Sequence, residues 1–128
     1  MRIRKTLLTL SLSCVAVLAL AAEPKVFSQQ EFDRLAHEGK PVIVDVAATW
    51  CPTCKAQKPI VDSLTQQGAY KDVTVLTVDF DADKPVLKTF RVGMQSTLIA
   101  FKGGKETGRS VGDTTGAGVE ALFKKAMN

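Results

Sequence analysis

The stretch Val42-Ile43-Val44-Asp45-Val46-Ala47-Ala48 is nearly continuous in apolar residues and rich in β-branched ones, and two residues later it meets Trp50-Cys51-Pro52-Thr53-Cys54. A half-exposed strand alternates apolar with polar residues, whereas an unbroken run predicts a strand covered on both faces. Such a strand belongs in the middle of a sheet with helices on each side, an α/β arrangement. Asp45 is the anomaly in the run. After the cysteines, Ile60, Val61 and Leu64 recur at helical spacing as far as Gly68, so a helix begins where the strand ends. Pro59 lies inside that pattern and predicts a kink.

The flanking segments extend this plan. Ser28-Gln29-Gln30-Glu31 is a capping-box pattern, and Phe32, Leu35 and Ala36 follow at helical spacing before Gly39 and Pro41, which predicts a helix over about 28–38. Val73 to Val78 reads as a second strand, Asp79 to Asp83 as an acidic turn, and Lys84 to Phe90 as one or two helical turns. Thr97–Phe101 and Glu106–Val111 flank Gly103-Gly104, a pair suited to the positive φ of a tight hairpin turn. A last helix, about 114–127, carries Val119, Leu122, Phe123 and Ala126 on one face. The order α, β, α, β, short α, β, β, α predicts a central mixed β-sheet flanked by helices on both faces.

Residues 1–22 read differently. Met1 to Lys5 is a positive start, Thr6 to Leu20 is an uncharged apolar run, and Ala19 to Ala22 supplies small residues for cleavage after Ala21 or Ala22. This predicts a cleaved signal peptide over 1–22 and one domain over 23–128, exported to the periplasm. The apolar run of about 15 residues is short of the roughly 20 that span a bilayer. Lipidation at Cys14 is disfavoured by Ser11, where an aliphatic residue is wanted. The formal charge of +4 owes three of its seventeen basic residues to Arg2, Arg4 and Lys5; the fourteen that remain face thirteen acidic ones. A near-neutral mature domain whose only tyrosine is Tyr70 gives no support to nucleic-acid binding.

With the leader removed, the remaining cysteines are Cys51 and Cys54, too close together to staple a framework. A lone C-x-x-C in an oxidising compartment makes redox chemistry the first hypothesis. At a helix N-terminus, the free backbone N–H groups and the positive end of the dipole stabilise a thiolate at Cys51 and depress its pKa. Cys54, one turn along, is near enough to attack a mixed disulfide formed at Cys51. Pro52 fits the first helical position, where no N–H donor is needed.

The spacing Asp-x5-Cys-x-x-Cys-x4-Pro (Asp45, Cys51, Cys54, Pro59), together with Trp50, resembles the active-site region of the thioredoxin superfamily. The likeness continues through Thr97-Leu98-Ile99-Ala100-Phe101-Lys102-Gly103-Gly104 and Val111-Gly112, and so covers essentially the whole mature chain. It implies a thioredoxin fold and a thiol–disulfide oxidoreductase, with Cys51 as nucleophile, Cys54 as resolving thiol and Asp45 as a buried carboxylate that takes the Cys54 proton. Trp50, Pro52, Thr53, Gln95 and Ser96 are the expected substrate-facing residues. For Asp45 the alternative is a strand-end residue facing water, and for Trp50 it is core packing. No cofactor is implied. The implied partners are exported protein thiols or disulfides and a membrane thiol carrier of the DsbD/CcdA type, with a monomer as the expected form.

Two departures stand out. Where the family has a cis-proline before its Thr-Leu, this chain reads Gln95-Ser96-Thr97-Leu98. A cis bond before Ser costs about 2.5–4 kcal/mol, which predicts either a trans bond or a strained loop. Val75 is expected near the position where thioredoxins carry a Lys facing the Asp, leaving Asp45 harder to ionise. Pro52-Thr53 between the cysteines has no imidazole to stabilise a thiolate, so a reductase or isomerase at about −180 to −250 mV is expected rather than an oxidase like DsbA.

Rival readings use the same cysteines. Zinc would need His37, the only histidine, which lies on the first helix. Copper(I) accepts two thiolates and a thioether, which Cys51, Cys54 and Met94 offer, and a bridging iron–sulfur site belongs to the same class. A passive disulfide in a binding domain would need none of Asp45, Trp50 and Pro59. Lys55 either adds to the positive field at Cys54 or is an ordinary surface lysine.

Overall fold

The computed structural model describes residues 23–128; the predicted leader and Cys14 lie outside the described residues. The elements are β1 (Lys25–Val26), α1 (Gln29–His37), β2 (Pro41–Ala47), α2 (Pro52–Thr65), a 3-10 turn (Gly68–Tyr70), β3 (Thr74–Asp79), α3 (Lys84–Thr89), β4 (Thr97–Lys102), β5 (Lys105–Val111) and α4 (Gly116–Met127). The order read from the sequence is present, with β1 and the 3-10 turn added. β1 is only two residues long and both are exposed, so no periodicity marks it. α2 runs through Pro59 to Thr65 without ending there.

The strands make one mixed sheet in the order β1-β3-β2-β4-β5. β2 is central, parallel to β3 and antiparallel to β4. Its side chains alternate between two cores, which is why the run is apolar throughout. Val42, Val44 and Val46 pack with Phe32 and Leu35 of α1 and Leu87 of α3. Ile43 packs on the other face with Val61 and Leu64 of α2 and Phe123 of α4. Asp45 has the parity of Ile43 and therefore lies beneath α2; a one-residue slip would move it to the α1 face. This is the thioredoxin fold expected from the sequence, with helices on both faces.

Local chemistry fixes the element ends. Ser28 caps α1 by accepting from the Glu31 N–H at 3.2 Å, while the Glu31 carboxylate turns instead to Arg34 at 2.7 Å, so only half of the capping box forms. α1 closes with paired bonds from Gly39 N–H to Ala36 O and from Lys40 N–H to Leu35 O, with Gly39 at φ +68. α3 closes in the same pattern, Arg91 N–H to Lys88 O and Val92 N–H to Leu87 O, but there the left-handed position is Arg91, at φ +54. Gly103 and Gly104, at φ +57 and +78, turn the β4–β5 hairpin as predicted.

Because β4 runs antiparallel to β2 with Val46 opposite Thr97, the segment before Thr97 lies beside the segment that follows Val46. The connection from β2 to α2 and the segment from Arg91 to Ser96 thus meet at one end of the sheet.

Candidate active site

Cys51 is the N-cap of α2 and Pro52 its first residue. The backbone at Cys51 is extended, and its Sγ accepts from the Cys54 N–H at 3.1 Å, one of the donors that a helix start leaves free. Cys51 and Cys54 form a disulfide with Cα atoms 5.3 Å apart. The helix N-terminus that holds Cys51 Sγ in the disulfide would hold its thiolate after reduction. Cys51 is 1% exposed and Cys54 8%, both packed with Ala48.

Asp45 and Cys54 line the same cavity, about 440 Å³ in volume, together with Lys58 and Asp62 of α2 and Thr77 of β3. Asp45 is half-buried, two residues short of the end of β2 and facing this cavity. Burial pushes its carboxyl from the ordinary 3.8 up to about 6; Lys58 draws it back down and Asp62 pushes it further up. Lys58 and Asp62 pair with each other at 2.6 Å. In the register Thr77 lies opposite Asp45, and Val75 lies opposite Ile43 in the apolar core, two residues before it on the same face of β3. A parallel pairing advances both strands together, so the neighbour of Asp45 is two residues beyond that of Ile43. The cations that line the cavity, Lys55 and Lys58, come from α2, and Lys58 is the one that draws the Asp45 carboxyl down.

Trp50 is 54% exposed, which removes the core-packing alternative. Its indole N–H donates to Asp81 Oδ2 at 2.7 Å. Asp81 is presented by the acidic turn, where Asp79 Oδ1 accepts from the Asp81 N–H at 2.8 Å. Pro52 is exposed and Thr53 half-buried, both on the first turn of α2. Lys55 is exposed at the cavity rim beside Cys54.

Across from the disulfide, no cis peptide bond occurs among the described residues; the chain instead takes Ser96 through φ +56. Of the two expected outcomes the loop is thus trans, with strain at a serine in the left-handed region. Ser96 is 5% exposed, and its hydroxyl donates to the Gln95 carbonyl at 2.7 Å. The Ser96 carbonyl accepts from Gly112 N–H at 2.9 Å and from Gln57 Nε2 at 3.2 Å. Gln95 is half-buried, whereas Met94 is 54% exposed. From the sheet edge, the Arg109 guanidinium donates to the carbonyls of Phe90 and Arg91 at 2.8 and 3.2 Å.

His37 sits before the start of β2, about 20 Å along the strand from the cysteines at its far end, so the structure does not bring it to them. Gln57, Lys58 and Asp81 were not singled out by the sequence reading. A signal for Gln57 existed: Cys54, Gln57, Val61 and Leu64 are the buried stripe of α2, and a glutamine in that stripe is out of place.

Residues 23–125 match the family model described as Thioredoxin. Thioredoxin-2 of Saccharomyces cerevisiae is 38% identical over 96 residues, covering 74% of this chain and 90% of the yeast protein. Thioredoxin H2-1 of Oryza sativa is 37% identical over 91 residues, 68% of this chain and 64% of the rice protein. Among solved structures, Trxlp from Edwardsiella tarda is 40% identical with a TM-score of 0.75, covering 78% of this chain and 98% of that one. A fold, a helix-capping disulfide and a family match that spans almost all described residues agree, and the chain belongs to the thioredoxin family.

Proposed function

We propose that this protein is a periplasmic thiol–disulfide reductase acting on exported proteins. Its membership and its Cys51–Cys54 disulfide support oxidoreductase chemistry in general. The observation that carries the mechanism is the shared cavity of Cys54 and Asp45. In the reduced protein, the Cys51 thiolate attacks one sulfur of a substrate disulfide, forming a mixed disulfide and releasing one substrate thiolate, which takes up a proton. Asp45, with its carboxyl near 6, is mostly ionised at neutral pH and accepts the Cys54 proton. The Cys54 thiolate then attacks Cys51 Sγ, closing the internal disulfide and releasing the second substrate thiolate. Two electrons pass from the dithiol to the substrate, and a second dithiol must restore them.

The direction of flow rests on Pro52-Thr53, which offers no imidazole to the thiolate and so favours a reductant over a strong oxidant. Export rests on the charged, apolar and alanine-rich succession of residues 1–22. In that compartment the electrons come from a membrane thiol carrier of the DsbD/CcdA type. With Cys51 1% exposed in the disulfide form, the carrier reaches it only as the flanking surface shifts.

The test is covalent trapping. Cys54→Ser is expected to accumulate substrate proteins as mixed disulfides on Cys51 that dithiothreitol releases, and Cys51→Ser is expected to accumulate none. Equal trapping by both variants would overturn the assignment of nucleophile and resolving thiol.

A further inference from the structure

Gln57 is 1% exposed on α2, three residues beyond Cys54 on the same face of the helix. Its Nε2 donates twice, to the Ser96 carbonyl at 3.2 Å and to the Asp113 carbonyl at 2.9 Å. Both acceptors are backbone carbonyls, which fixes the amide orientation, since the flipped form would set its oxygen against two others. Oε1 finds no protein partner among the described residues. A leucine would fill this position without burying an amide, so the polar side chain is offset only by what its two donors hold.

Those donors hold the two loops beside the cysteines. Ser96 ends the segment that meets the β2–α2 connection at the end of the sheet, and Asp113 follows β5, whose Val111 pairs with Thr97. The same Ser96 carbonyl accepts from Gly112 N–H, so Gln57, Ser96 and the Gly112–Asp113 turn form one closed set of bonds. Ser96 needs it, because at φ +56 a serine lies outside its preferred backbone regions and returns to them unless its surroundings prevent this.

We propose that Gln57 is a positioning residue that holds the Met94–Ser96 segment against the disulfide, so that a substrate protein meets a preformed surface there. This rests on the reductase reading above for its catalytic consequence, but not for its structural one. A small dithiol or disulfide needs only the sulfurs, whereas a protein substrate also needs the segment.

Gln57→Leu and Gln57→Glu test it. Both remove the two donors; leucine does so with an apolar group and glutamate with a carboxylate of nearly the same shape. In each, the Gly112 amide is expected to exchange with solvent deuterium about tenfold faster, the effect of losing one net hydrogen bond, while the β2 amides exchange as before. With insulin as the protein disulfide, KM is expected to rise about tenfold, with kcat and the rate of reduction by dithiothreitol within about twofold of the parent protein. Unchanged Gly112 exchange in either variant would overturn the proposal, as would faster exchange in Gly112 and β2 alike, which marks general loosening. A rise in Gly112 exchange with KM unchanged would overturn the positioning role. If the parent protein fails to reduce insulin at all, the reductase reading falls and the exchange experiment still decides whether Gln57 holds the loop.

Discussion

The start of α2 at Cys51 keeps its shape mainly through rules that belong to the helix itself, whereas the segment from Arg91 to Ser96 beside it is held in large part by side chains sent from elsewhere. In the first region, Cys51 caps the helix, Pro52 suits its first position and the Sγ atom takes a free N–H. In the second, two residues other than glycine adopt positive φ, and Gln57 and Arg109 reach in from α2 and β5 to hold the carbonyls around them. A site can thus combine one wall that is intrinsically stable with one that is imposed. The imposed wall is the one that depends on distant residues, and it is where substitutions outside the cysteine motif should change substrate use.

The largest expected effect concerns the intrinsic wall. The Asp45 carboxyl is raised in the folded state, so the proton it retains contributes stability that is full below about 3.8 and is lost as pH rises through about 6. Asp45→Asn removes this loss. Urea melts of parent and variant are expected to differ little near pH 4 and to diverge by about 3 kcal/mol in favour of the variant at pH 8. In the parent protein, the release of trapped substrate should slow as pH falls through 6, and in Asp45→Asn it should be slow throughout. A constant offset between the melts at all pH values would break the assignment of Asp45 as the titrating group.

The next effect sharpens the contrast at the imposed wall. Gly39 and Arg91 occupy the same left-handed position after α1 and α3, and the arginine carries the steric cost that the glycine avoids. Arg91→Gly is expected to stabilise the protein by about 1 kcal/mol, seen as a higher urea midpoint with an unchanged slope. Destabilisation would mean that the Arg91 side chain supplies more than its backbone costs. The smallest effect belongs to the pair at the mouth of the cavity. Lys58→Met should move the Asp45 titration upward and Asp62→Asn should move it downward, each by a fraction of a pH unit, read from the carboxyl carbon by NMR. Shifts of the same sign would sever Lys58 and Asp62 from Asp45.

The unequal legibility of the two walls follows from the same difference. β2, α2, the hairpin and the last helix were readable because periodicity, caps and turn residues are local signals, and Cys51, Cys54 and Asp45 lie inside that readable stretch. The loop before β4 was readable only as a departure: Ser96 signalled that something other than proline must fix the chain, but not that Gln57, 39 residues earlier in sequence, does so. That Thr77 lies opposite Asp45 is likewise not legible, because parallel register depends on how β3 enters the sheet, which no residue of β3 encodes alone. Asp81 was read as part of an acidic turn; its bond to Trp50 spans 31 residues and exists only once the sheet has formed.

The reduction potential of the Cys51–Cys54 pair, measured by equilibrating residues 23–128 with dithiothreitol and glutathione buffers under metal-free conditions, tests the central claim most directly. A value below about −200 mV is the predicted result and fits a dithiol that donates electrons to exported proteins. A value near −120 mV, where the dithiol is the strongly favoured form, would contradict the reductase reading and make this protein an oxidant.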